Sequence, residues 1–137
     1  MTPQPDAAPQ QRRHTVRVAA QAAGAASSEA ILDAPEDATV AAASIVFDAA
    51  VVGNTANTRT LNLVNRGQDG TGNTVIGTLA LITGVNPAAM DETAFALSGT
   101  PANLNVNAGD VLAVQETVAG TGLANPGGEV KVTLNRR

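Results

Sequence analysis

The stretch Thr58-Arg-Thr-Leu-Asn-Leu-Val-Asn-Arg-Gly-Gln-Asp-Gly-Thr-Gly-Asn-Thr-Val-Ile-Gly-Thr-Leu-Ala-Leu-Ile82 decides the fold. Leu61 and Leu63 alternate with Thr60 and Asn62, the period of two that sends successive side chains to opposite faces of a strand. Gly67, Asp69, Gly70, Gly72 and Asn73 then interrupt the pattern with residues that tolerate positive φ and stop a strand. Val75, Leu79 and Leu81 resume it. The stretch predicts strand, polar Gly-rich turn, strand. An isolated hairpin is marginal in water, so this one requires more strands to cover its apolar face.

The flanking chain supplies them. On the C-terminal side, Leu104 and Val106 alternate with Asn103, Asn105 and Asn107, and Ala108-Gly-Asp110 makes a tight turn. Val111–Val118 follows as a strand, with Leu112, Val114 and Val118 on one face. A second Gly-rich loop runs from Gly120 to Gly128. Glu129–Asn135 has the cleanest alternation: Val130, Val132 and Leu134 inward, Glu129, Lys131 and Thr133 outward. Between the hairpin and these strands lie a short strand at Ala94–Leu97 and a segment, Pro87–Asp91, expected to form one helical turn capped by Asn86. On the N-terminal side, Ala38–Phe47 reads as a strand, Asp48–Asn57 as a loop, and Glu29–Leu32 as a strand start after an Ala-rich connector. Seven or eight short strands at turn-punctuated spacing, without a long helix, predict an all-β antiparallel sandwich or barrel. Its core is expected over Leu61, Leu63, Leu79, Leu81, Leu112, Val114, Val130, Val132 and Leu134.

Residues 1–18 read differently. Pro3, Pro5 and Pro9 forbid a helix and favour extended backbone. The expected organisation is an extended, Pro/Gln-rich basic arm over 1–18 and a sandwich domain over 19–137. Residues 1–17 carry net charge +2 and residues 131–137 carry +3, so the middle holds −9 to give the total of −4. Basic ends on an acidic body suit a charge-complementary contact. The N-terminus lacks the basic and apolar regions of a signal peptide, and no window approaches the ~18 apolar residues of a membrane span.

Composition excludes most chemistry. The 137 residues include no Cys, Trp or Tyr, and only Phe47 and Phe95 are aromatic. Disulfides and thiolate metal sites are ruled out. The stacking platforms of sugar- and nucleic-acid-binding domains are missing. The single His, His14, lies in the arm. Asp91-Glu92 and the turn residues Asp69 and Asp110 are the carboxylates to weigh for acid–base work, and they read as caps and turn chemistry. Gln68-Asp-Gly-Thr-Gly72 has too few carboxylates for a calcium loop. Its glycines are followed by strand rather than the helix that a phosphate cradle needs. No catalytic, cofactor or metal residue is expected.

Leu61-Asn-Leu-Val-Asn-Arg-Gly-Gln-Asp-Gly-Thr-Gly72, Asn105-Val-Asn-Ala-Gly-Asp-Val-Leu112 and Gly120-Thr-Gly-Leu-Ala-Asn-Pro-Gly-Gly-Glu-Val-Lys-Val-Thr-Leu134 together resemble the small head proteins that decorate, or cement, the capsids of tailed bacteriophages. The resemblance covers roughly residues 30–135 and leaves out the Pro-rich arm. It implies a jelly-roll-like body, many copies on the capsid exterior, a homotrimer, and contacts with the major capsid protein. It supplies no active-site residue. The arm then becomes the expected capsid-binding element: Arg12, Arg13 and Arg17 for acidic capsid groups, and Thr15, Val16, Arg17 and Val18 for strand addition to a neighbour's edge. Two rival readings are a tail, fibre or head–tail junction component, and a cell-surface adhesin or carbohydrate-binding module. The missing signal pattern and missing aromatics speak against the second.

Overall fold

The computed structural model describes residues 11–137. In chain order its strands are β1 (Gln11–Val18), β2 (Ser27–Asp33), β3 (Ala38–Phe47), β4 (Thr58–Asn65), β5 (Thr74–Ala80), β6 (Glu92–Ala94), β7 (Ala96–Leu97), β8 (Asn105–Val106), β9 (Val111–Ala119) and β10 (Gly128–Arg136). One sheet has the order β1-β10-β3-β6, with β8 also on β3; the other runs β2-β9-β4-β5-β7. All pairings are antiparallel.

The pairs are nested. β4 pairs with β5, β3 with β6, β2 with β9 and β1 with β10. The chain is thus a long ribbon doubled back on itself, with its tip at the Gly-rich turn 66–73. Successive rungs of that ribbon fall alternately in the second and the first sheet. Rolling it up adds the contacts β10 with β3 and β9 with β4. This winding is the jelly roll. The hairpin that dominates the sequence is the tip around which the rest is wound.

All nine residues expected in the core are buried, together with Val40, Ile45, Phe47, Ile76, Phe95 and Val106. Phe47 and Phe95 are the bulky members, and both are almost wholly enclosed.

Three expectations are corrected. The sheet begins at Gln11 rather than after Val18: β1 pairs with β10 from Gln11↔Asn135 to Val18↔Gly128. Only Val16 and Val18 mark its inner face as apolar, too little alternation to stand out beside Arg12, Arg13 and His14. Residues 1–10, the rest of the expected arm, lie outside the described residues. Pro87–Asp91 forms no helical turn; Asn86 Oδ1 instead accepts the Gly53 N–H at 3.0 Å, so the side chain cannot serve as a cap. The short strand expected at Ala94–Leu97 is split at buried Phe95 into β6 and β7, one in each sheet, which is where the chain crosses the sandwich. A 3-10 turn, Pro101–Leu104, then leads into β8.

Candidate interaction surface

The carboxylates weighed for catalysis are engaged locally. Asp69 accepts from the Thr71 hydroxyl at 2.8 Å and the Thr71 N–H at 3.1 Å. The hydroxyl first, then the N–H, hold its carboxyl below the ordinary 3.8. Asp110 accepts from Asn65 Nδ2 and the Asn107 N–H and closes the turn before β9. Asp91 accepts the Glu92 N–H, while the Glu92 carboxylate meets Lys131 Nζ at 3.3 Å. Among the described residues no group of three or more His, Asp or Glu is placed to hold a metal ion.

The six residues expected to bind a capsid share β1 but divide between its faces. Arg13, Thr15 and Arg17 are exposed on the outer face, whereas Val16 and Val18 turn toward the core. Arg12 Nε pairs with Glu36 Oε1 at 3.1 Å, and Arg17 pairs with Asp48. Arg13 makes no hydrogen bond or ion pair among the described residues. It lines a shallow depression with Ser44, Glu92, Lys131 and Thr133 on the outer face of the first sheet. The strand is therefore basic but largely held by its own body, with Arg13 the uncommitted cation.

Sequence reasoning missed two features. The first is a buried polar node. Arg59 shares the inner face of β4 with Leu61 and Leu63 and is fully enclosed. Its Nη1 meets Glu116 Oε1 at 3.0 Å; Nε donates to the Leu123 carbonyl at 2.6 Å, and Nη2 to those of Ala22 and Ala25 at 2.8 and 2.9 Å. Ser27 Oγ and Asn125 Nδ2 donate to the Glu116 carboxylate. One guanidinium thus ties β9 to the 19–26 and 120–127 loops. The available signal was an Arg and a Glu at apolar-face positions of period-two strands.

The second is at the same end of the sandwich. The 48–57 and 81–91 loops are zipped together: Val51 N–H donates to the Pro87 carbonyl, Gly53 N–H to Val85 and Asn54 N–H to Leu81, at 3.0–3.1 Å. Thr55 and Thr83 exchange side-chain-to-backbone bonds. The zip is close because position 53 is glycine; a Cβ there would stand 1.9 Å from the Ile82 carbonyl oxygen. On this braced platform Val52 is 73% exposed, Met90 71% and Ile82 42%. Met90 is also the one non-glycine with positive φ among the described residues, at 61°. An L residue held there costs conformational energy, a kind of strain that concentrates at binding sites.

No protein-family model and no curated protein matches this sequence. Solved structures that align with the chain include two of one virus. A chain in the structure of infectious bursal disease virus, Gx strain, aligns over 94% of this chain and 33% of its own length, with 12% identity and a TM-score of 0.48. A chain in the structure of the Gt strain aligns over 99% of this chain and 34% of its own, with 16% identity and a TM-score of 0.44. The present chain spans about a third of the length of each.

Proposed function

We propose that this chain is a structural, non-enzymatic virion protein: a decoration protein on the outside of a bacteriophage head, braced across major capsid subunits. The observation that carries the reading is the platform of Val52, Ile82 and Met90. A jelly roll whose polar clusters are used in turns and in one buried node offers rigid apolar loops, with strain at Met90, as its contact surface. Fully burying such a side chain is worth about 1.5–3 kcal/mol, of which a partner recovers the share still exposed, most at Val52 and Met90 and less than half at Ile82. Fold alone does not assign function, so the reading rests on that surface and on the resemblance of the turn-and-strand motifs to cement proteins.

Binding of the purified chain to bare phage heads tests it. Val52→Ser/Met90→Ser is expected to lower occupancy at least tenfold while thermal stability stays within about 0.5 kcal/mol, as for exposed positions. Full occupancy by that variant removes the loop platform from the proposal, and no binding by the native chain removes the decoration role. A second reading, capsid binding through the β1 face, is favoured by uncommitted Arg13. Arg13→Glu in the same assay separates it, because only a β1 contact loses affinity.

A further inference from the structure

The sandwich guards one flank and leaves the other open. On the guarded side the sheets end in β6, β8 and β7, three residues or fewer each. On the open side they end in β1 and β2, eight and seven residues long, each hydrogen-bonded to a partner strand along one edge only. Long free edges pair with other strands unless something blocks them. Neither β1 nor β2 contains proline; the two approach each other across the flank without pairing, and no other described strand pairs with either outer edge.

The two edges are opposite in charge. β1 carries Arg12, Arg13 and Arg17 with no acid; β2 carries Glu29 and Asp33 with no base. Pairing β1 with β1 of another copy would set arginines against arginines. Pairing β1 with β2 of another copy sets them against carboxylates. Both edges lie on the same flank, so a two-fold axis parallel to the strands makes both pairings at once, and each joint is antiparallel because β1 and β2 run in opposite senses across the flank.

Heights along the flank match as well. The Glu29 carboxylate accepts the Ala19 N–H at 3.2 Å near the end of β1, and Arg12 near its start meets Glu36 just past β2 at 3.1 Å, so the two strands run alongside each other over most of their length. A two-fold along the strands preserves height. It brings the partner copy's Asp33 to the middle of β1, near Thr15 and the flanking Arg13 and Arg17 of the outer face. The seam also holds half-buried Val16 and Leu32, and His14 Nε2, which is enclosed without a hydrogen-bond partner among the described residues.

We propose that the β1/β2 flank is a self-complementary dimer interface, in which β1 of each copy pairs with β2 of the other and the two sandwiches share continuous sheets. The proposal concerns the free protein and does not depend on the capsid reading.

Light scattering on the full chain, with charge-swapped variants, tests it. The native chain is expected as a dimer. Arg13→Glu/Thr15→Glu turns the outer face of β1 net acidic, against the acidic Asp33 of β2, and Ser28→Lys/Asp33→Lys turns the outer face of β2 basic, against the arginines of β1. All four positions are exposed, and none of their side chains makes a hydrogen bond or ion pair among the described residues. Each variant is expected as a folded monomer, and their equimolar mixture as a 1:1 heterodimer. A native monomer, a native trimer, variants that stay dimeric, or a mixture that stays monomeric each overturns the proposal. A three-membered ring cannot satisfy the mixture, so the trimer implied by the cement-protein resemblance is distinguished directly. Where a variant fails to fold, Thr15→Cys/Asp33→Cys serves instead. The chain has no other cysteine. Within one copy these two side chains lie on the opposite outer faces of the two sheets and point away from each other, which no disulfide can bridge. Oxidation is therefore expected to yield a covalent dimer, and monomer alone overturns the interface.

Discussion

Arg59 shows how much one side chain holds. Its guanidinium sits in the apolar layer with 0% exposure and is tolerable only because Glu116 and three backbone carbonyls receive its protons. Removing one partner of such a pair leaves an uncompensated buried charge, which costs about 3–5 kcal/mol. Arg59→Met is expected to lose that much in urea unfolding, followed by far-UV circular dichroism because the chain has no Trp or Tyr. The double variant Arg59→Met/Glu116→Leu should lose less than the sum of the single losses, since each single change strands the other's charge. Additive losses would show that the pair is not coupled. The anomaly of an Arg and a Glu on apolar faces was legible in the sequence. Their pairing was not, because it depends on the register that sets Leu61 opposite Glu116.

At the scale of elements, the strands with clean alternation were legible, and β3 runs from Ala38 to Phe47 as its pattern predicts. β1 was not, since an edge strand that buries only two valines carries little periodic signal. The zipped loops were hidden for a different reason. Nothing local marks Gly53 as the point where two backbones touch; only the fold brings Ile82 and Val85 beside it. Gly53→Ala is therefore expected to cost about 1–3 kcal/mol, the usual range for overpacking, while Gly99→Ala, whose Cβ would meet nothing within 4 Å, stays within about 0.5 kcal/mol. Paired melting curves check both. Equal midpoints for the two variants would show that the loops part at no cost. Of the expected binding residues, the structure brings all six onto one strand but leaves only Arg13 and Thr15 free to reach a partner from the outer face.

For the whole molecule the nested pairing governs kinetics. The first and last strands are partners, and nearly every rung of the ribbon joins residues distant in sequence. Loop-closure entropy must be met before such contacts form, so all-β domains of this kind refold in milliseconds to seconds. Stopped-flow dichroism is expected to find a phase in that range, and refolding complete within microseconds would contradict a ribbon that has to be rolled up. The antiparallel sandwich class was legible because it rests on strand count and turn spacing; the jelly-roll winding was implied only by the resemblance of the turn-and-strand motifs. The order of strands within the sheets was not, because alternation says which face is inward and nothing about which neighbour lies alongside.

The pairing of Gln11 with Asn135 sets both ends of the described chain side by side, at the pole of the sandwich opposite the zipped loops. A peptide or small domain spliced after Arg137 would stand clear of whatever those loops grip. In the proposed decoration role, a copy seated by its loops would carry that cargo pointing outward, as a display scaffold.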